Sequence, residues 1–301
     1  MKIATLLVVS IFFLNGCFSN EDHSGENQSS IYSIPVSKTY HKSDLKVFFI
    51  GNSYTYANNL PSMVAQVAAK NGIDMYTKKS ALDNASLEQH WNSERDLKTM
   101  KILENEKFDF VVLQEYGVYP MLYPDKAKKH ISLFLEHIKS KGAIPILFHS
   151  WARKNRDYAQ HYLDNFYYQE VDKSGTIIAP IGHAWLHSIL ERPDINLYHE
   201  DGSHPSELGT YLTASVIFSS IKPQLTVEMQ EFDGSSLYTI DKRKILITHE
   251  EIQFLQKVAG RSRLEYDKHF NGKNHDLKVL AHYSKDSQNK EIQNNQVISA
   301  P

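Results

Sequence analysis

Short, almost wholly apolar runs alternate along this chain with longer stretches whose apolar positions recur at helical spacing. Residues 45–50 contain Val47, Phe48, Phe49 and Ile50 in succession, the signature of a strand covered on both faces. The spacing over 60–71 predicts a helix that stops at Gly72. Strands are predicted over 75–79, 108–113, 144–148 and 176–179, and helices over 125–140, 157–171 and 205–220. This strand–helix alternation predicts a parallel sheet with helices on both sides. In such sheets the loops at the carboxyl ends of the strands build the site. Ser53, Gln114, Ser150 and Trp151 all fall at such ends.

Both ends of the chain depart from the pattern. Lys2 precedes an apolar stretch over 3–14, too short to span a bilayer comfortably, and Cys17 follows as the only cysteine. Residues 1–16 are therefore expected to be a bacterial lipoprotein leader, with Cys17 lipidated and anchoring an exported protein to a membrane. Residues 17–44 are polar and aperiodic, as a tether would be. The folded domain is expected over 45–264, and 265–301 is expected to be a partly disordered extension in which 266–283 could still pack as a short C-terminal element. Composition adds exclusions. With 33 basic and 35 acidic residues, no basic excess points to nucleic acid. With one cysteine, no disulfide is available.

Candidate chemistry concentrates in two distant segments. Gly51, Asn52 and Ser53 follow the first strand directly, and Asp201, Gly202, Ser203, His204 and Pro205 precede the last predicted helix. A serine hydroxyl is a poor nucleophile until a base takes its proton, and the base needs a third group to fix its tautomer. Ser53, His204 and Asp201 supply that set, and three residues of separation let His204 and Asp201 share one loop. Other clusters are weaker. His183 and His187 are four apart but lack a matched carboxylate, and no metal or cofactor is expected. Tyr158, Tyr162, Phe166, Tyr167 and Tyr168 have the spacing of core or groove-lining aromatics.

These segments, in this order, resemble the SGNH (GDSL-like) hydrolase superfamily. The likeness covers about residues 45–220. It rests on Gly51-Asn52-Ser53, on Val112-Leu113-Gln114-Glu115, on the segment from Ala179 to Trp185, and above all on the Asp201–x–x–His204 block and the helix after it. The resemblance implies an α/β fold, a three-layer α/β/α sandwich with a parallel, flavodoxin-like sheet of about five strands. It also implies cleavage of esters or related acyl bonds, with Ser53 as nucleophile, His204 as base and Asp201 as its orienter. Acetyl groups on a carbohydrate are the expected substrate, with Trp151 lining the mouth of the site.

For the oxyanion hole it implies the Ser53 N–H, a side-chain amide after the central strand, and a glycine N–H. Gln114 stands where the family has asparagine. Asn84 stands nearest to the missing glycine, and asparagine tolerates positive φ better than other non-glycine residues.

Overall fold

The computed structural model describes residues 45–174, 176–225, 236–240 and 243–271. The leader and linker expected over 1–44, and the chain beyond 271, lie outside the described residues. Five strands form one parallel sheet: β1 (Leu45–Gly51), β2 (Met75–Ala81), β3 (Phe110–Leu113), β4 (Ile144–Phe148) and β5 (Ile177–Ala179). Their spatial order is β2-β1-β3-β4-β5, the flavodoxin-like order. The chain runs outward from β1 to β2 and then returns to the other side of β1. That reversal opens a crevice at the carboxyl ends of β1 and β3, where Ile50 pairs with Leu113.

The all-apolar runs make a sheet with two dry faces because side chains alternate along a strand. Val47, Phe49, Phe110, Val112, Ile146 and Phe148 point to one core, and Phe48, Ile50, Val111, Leu113 and Leu147 to the other. The first core is closed by α2 (Leu60–Lys70), α8 (Ile181–Glu191), α9 (Glu207–Ile221) and α10 (His249–Asn271). The second is closed by α3 (Leu87–Trp91), α4 (Thr99–Asn105), α6 (Pro124–Ser140) and α7 (Tyr158–Ser174). Two single-turn helices, α1 (Ser53–Tyr56) and α5 (Tyr119–Leu122), sit at the carboxyl ends of β1 and β3. Helix α9 packs against α2, α8 and α10 and is buried almost all round, which explains its lack of a polar face.

Two features depart from expectation. A two-stranded antiparallel ribbon, β6 (Ser236–Ile240) and β7 (Arg243–Ile247), precedes α10. The expected domain edge at 264 then falls inside α10, which runs on to Asn271 and buries Tyr266 in the second core. The ordered fold therefore extends past that edge. Among the described residues no helix is long and apolar enough to cross a membrane.

Candidate active site

The nucleophile turn is set by packing around Gly51. A Cβ on Gly51 would lie 2.3 Å from Thr55 Oγ1 and 2.4 Å from Gln114 Oε1, so no larger residue fits. Asn52 comes next and is buried. Its side-chain oxygen accepts the Tyr54 N–H at 3.1 Å, and its amide donates to the Ala85 carbonyl at 3.2 Å. The cap starts α1, so Ser53 is its first residue. The Ser53 N–H is one of the donors a first turn leaves over, and it has no hydrogen-bond partner among the described residues.

The acid–base loop approaches from the other end of the sequence. Tyr198 and Pro205 form an isolated antiparallel bridge, the His199 N–H donates to the His204 carbonyl at 2.8 Å, and Gly202 turns the chain at φ +65°. Inside this turn, Asp201 Oδ1 accepts the backbone N–H groups of Ser203 and His204, each at 2.9 Å. Asp201 Oδ2 accepts from His204 Nδ1 at 2.5 Å, and His204 Nε2 lies 2.8 Å from Ser53 Oγ. With Nδ1–H given to the carboxylate, the Nε2 lone pair faces the serine hydroxyl, the tautomer a general base requires. Burial acts to raise the Asp201 carboxyl, but the His204 hydrogen bond and the two backbone N–H groups outweigh it and hold the group at about 2. Asp201 is therefore an anion at neutral pH, able to stabilise an imidazolium.

An aromatic stack holds this loop to the nucleophile. The Tyr54 ring lies parallel to Trp151 at 4.7 Å, and Trp151 lies parallel to Trp185 at 4.0 Å. The Tyr54 hydroxyl meets Ser203 Oγ at 2.7 Å, its ring edge meets His204 at 5.5 Å, and Trp151 Nε1–H donates to the Ser203 carbonyl at 3.1 Å. Trp151 is only 3% exposed, which corrects the expectation that it lines the mouth. It faces a shallow recess with Gln160, Trp185 and Tyr198, and it clamps the His204 loop from behind. An indole this large, placed at a strand end, was drawn into the core by Trp185.

Gln114 also corrects its expected role. It is fully buried, its Oε1 accepts the Asn52 N–H at 2.7 Å and the Thr55 hydroxyl at 2.9 Å, and its Nε2 donates to the Glu115 carbonyl at 2.6 Å. The amide is turned under the nucleophile loop and braces it, so it is not the side-chain donor of an oxyanion hole. The extra methylene gives it this reach beneath Gly51. Asn84 does adopt the glycine-like conformation, at φ +55°. Its loop is tied to the nucleophile turn through Ala85 to Asn52 and through a hydrogen bond from the Tyr56 hydroxyl to Asp83. The backbone N–H groups of Ser53 and Asn84 have no partner among the described residues.

Two buried residues were assigned no role from the sequence. His90 Nε2 lies 2.8 Å from the Gly51 carbonyl and its Nδ1 lies 2.6 Å from Thr99 Oγ1. A carbonyl can only accept, so Nε2 carries the proton and the ring holds the end of β1. Burial pushes this imidazole down to about 4, which keeps it neutral. Glu115, the second residue, is 1% exposed. His90 directly follows Gln89, the partner of Ser86 in the capping box that opens α3.

The paired histidines separate. His183 Nε2 meets Asp164 at 3.1 Å and His187 Nε2 lies 3.6 Å from Glu265. His149 reaches the other Asp164 oxygen at 2.8 Å, so Asp164 ties β4 and α8 to α7. No group of potential metal ligands occurs among the described residues. Of the helical aromatics, Phe166, Tyr167 and Tyr168 are buried, while Tyr158 and Tyr162 are exposed.

No family model and no curated protein matches the chain. Solved structures do. A protein from Slackia heliotrinireducens assigned to the SGNH hydrolases is 26% identical with a TM-score of 0.53, the match covering 60% of this chain and 100% of that one. A DUF4886 family protein from Bacteroides uniformis is 18% identical with a TM-score of 0.59, over 74% of this chain and 96% of that one. At that identity the second likeness speaks for the fold alone. Strand order agrees with the match to the whole length of the Slackia protein, and the chain has the fold of the SGNH (GDSL-like) hydrolases and is similar to them.

Proposed function

We propose that this hydrolase removes acetyl groups from a carbohydrate by covalent catalysis at Ser53. The observation that carries the reading is the unbroken hydrogen-bond series from Asp201 through His204 to Ser53. His204 takes the Ser53 proton as Oγ attacks the ester carbonyl. The oxygen of the tetrahedral intermediate carries the negative charge, toward the Ser53 and Asn84 N–H groups. His204 then returns the proton to the departing alcohol, leaving an acetyl-serine. Water attacks next with His204 again as base, and His204 returns that proton to Ser53 Oγ as the acyl bond breaks and acetate leaves. The His204 imidazole is 38% exposed and Ser53 is 9% exposed, so the reacting centre meets solvent on the imidazole side. We further propose that Cys17 carries a lipid that holds the enzyme to a membrane; Cys17→Ser should then leave the membrane fraction, and unchanged fractionation would refute the anchor.

Acetylated oligosaccharides, short acyl esters and long acyl esters, assayed side by side with Ser53→Ala as control, test the substrate. Turnover of acetylated sugars well above long acyl esters is expected. A preference for long acyl chains would shift the reading to a lipid or thioester substrate. No Ser53-dependent turnover of any ester would point to a binding protein on a hydrolase scaffold.

A further inference from the structure

We propose that Glu115 is a positioning residue for this reaction: one of its carboxyl oxygens ties the loop that carries Asn84 to the loop that follows β3. The inference rests on the ester-cleaving reading above. Glu115 Oε1 accepts the Leu87 N–H at 3.1 Å and the Tyr116 N–H at 2.6 Å. Leu87 opens α3, three residues after Asn84, and Ser86 and Gln89 lock the same turn in a reciprocal capping box. The Asn84 loop is thus held from two sides, by Asn52 and Tyr56 of the nucleophile segment and by Glu115 from beneath. Gln114 performs the matching task for the nucleophile turn. The two consecutive residues after β3 brace the two segments that supply the oxyanion donors. A backbone N–H aims correctly only if its loop is fixed, because it has no rotamer to adjust.

The carboxyl sits in an unusual environment for a purely structural tie. Its Oε2 is buried without a partner among the described residues. Burial is the main influence on it and pushes it up, the Tyr116 and Leu87 N–H groups pull it down, and the charge of Glu88 adds to the rise, leaving it at about 8. The groups that face it are Glu88 of α3, itself paired with Lys126 of α6 at 3.3 Å, and the Tyr167 phenol of α7. At neutral pH Glu115 is a neutral acid. Its ionisation sets a negative charge behind the donors that must receive the negative oxyanion, so turnover should fall as pH rises through that value.

Full-length protein purified in detergent, as wild type, Glu115→Gln and Glu115→Ala, tests this with p-nitrophenyl acetate from about pH 6 to 9.5. Amide hydrogen exchange of segments 82–90 and 114–118 is measured on the same samples. Gln keeps an acceptor for both N–H groups but does not ionise. It is expected to hold kcat within about threefold of wild type at neutral pH and to lack the wild-type fall above about pH 8. Ala is expected to lower kcat at least about tenfold with KM changed less than about threefold, and to speed exchange in both segments. Wild-type kcat and exchange in the Ala variant, or an unchanged alkaline fall in the Gln variant, overturns the proposal. If wild type turns over no faster than Ser53→Ala, it is the ester-cleaving reading that has failed. Exchange then decides alone, and unchanged exchange in the Ala variant overturns the tie.

Discussion

Ser53, His204 and Asp201 are kept in place by different means, and the difference decides which neighbours matter. Asp201 and His204 are preorganised locally, by a turn in which one carboxylate accepts two backbone N–H groups and the imidazole. Ser53 depends on long-range support, from Gln114 and from Ala85, that reaches it through Asn52. The hydrogen-bonded grouping of Ser53, His204 and Asp201 was legible in the sequence because its local turn and capping geometry are written in short motifs. The role of Gln114 was not, since it depends on which way a strand-end amide points, and that is settled by Thr55 and the Asn52 N–H from another segment. A prediction separates the two roles. Gln114→Ala leaves a buried N–H and a buried hydroxyl without their acceptor and should lower folding stability by roughly 2–4 kcal/mol along with activity. Denaturant unfolding checks this, and full stability with lost kcat would restore Gln114 as an oxyanion donor.

At the scale of elements, the strands were readable because both sheet faces are dry, which turns each strand into a continuous apolar run. The short helices α3 and α4 were not, because five and seven residues carry too little periodicity. Helix α10 was not predicted, and the domain edge was set at 264 because the chain turns largely charged there, although Tyr266 lies in the core. Trp151 shows the same limit for a single side chain, since stacking on Trp185 decided its direction. The stack predicts that Trp151→Ala will cost about 3–5 kcal/mol of stability and will also loosen the His204 loop. The loop effect should appear as a lower kcat in the folded variant and faster exchange over residues 199–205. A variant with reduced stability but wild-type kcat would show that the stack serves the core alone.

At the scale of the molecule, buried ionisable groups set how stability responds to pH. His90 titrates at about 4 when folded, against about 6.5 when unfolded, so the unfolded chain binds more protons between those values. Its neutral form therefore supports folding above about pH 6.5, and that support is lost as pH falls toward 4, by up to roughly 3 kcal/mol. Glu115 has the opposite sign, since the folded chain binds more protons between about 4.5 and 8, and its support is lost as pH rises through about 8. Unfolding curves for wild type and His90→Gln across the acid range test the first statement. The variant should lose the acid slope that His90 adds, and parallel slopes would contradict it.

The central claim is that Ser53, activated by His204, cleaves an ester through an acyl-enzyme. The initial rate of p-nitrophenyl acetate hydrolysis by wild type and by Ser53→Ala, at matched concentration and with matched thermal melts, tests it most directly. The account predicts that the alanine variant is slower by at least about a thousandfold, retaining only what binding and the remaining N–H donors supply. A folded Ser53→Ala variant that hydrolyses the ester as fast as wild type would contradict it.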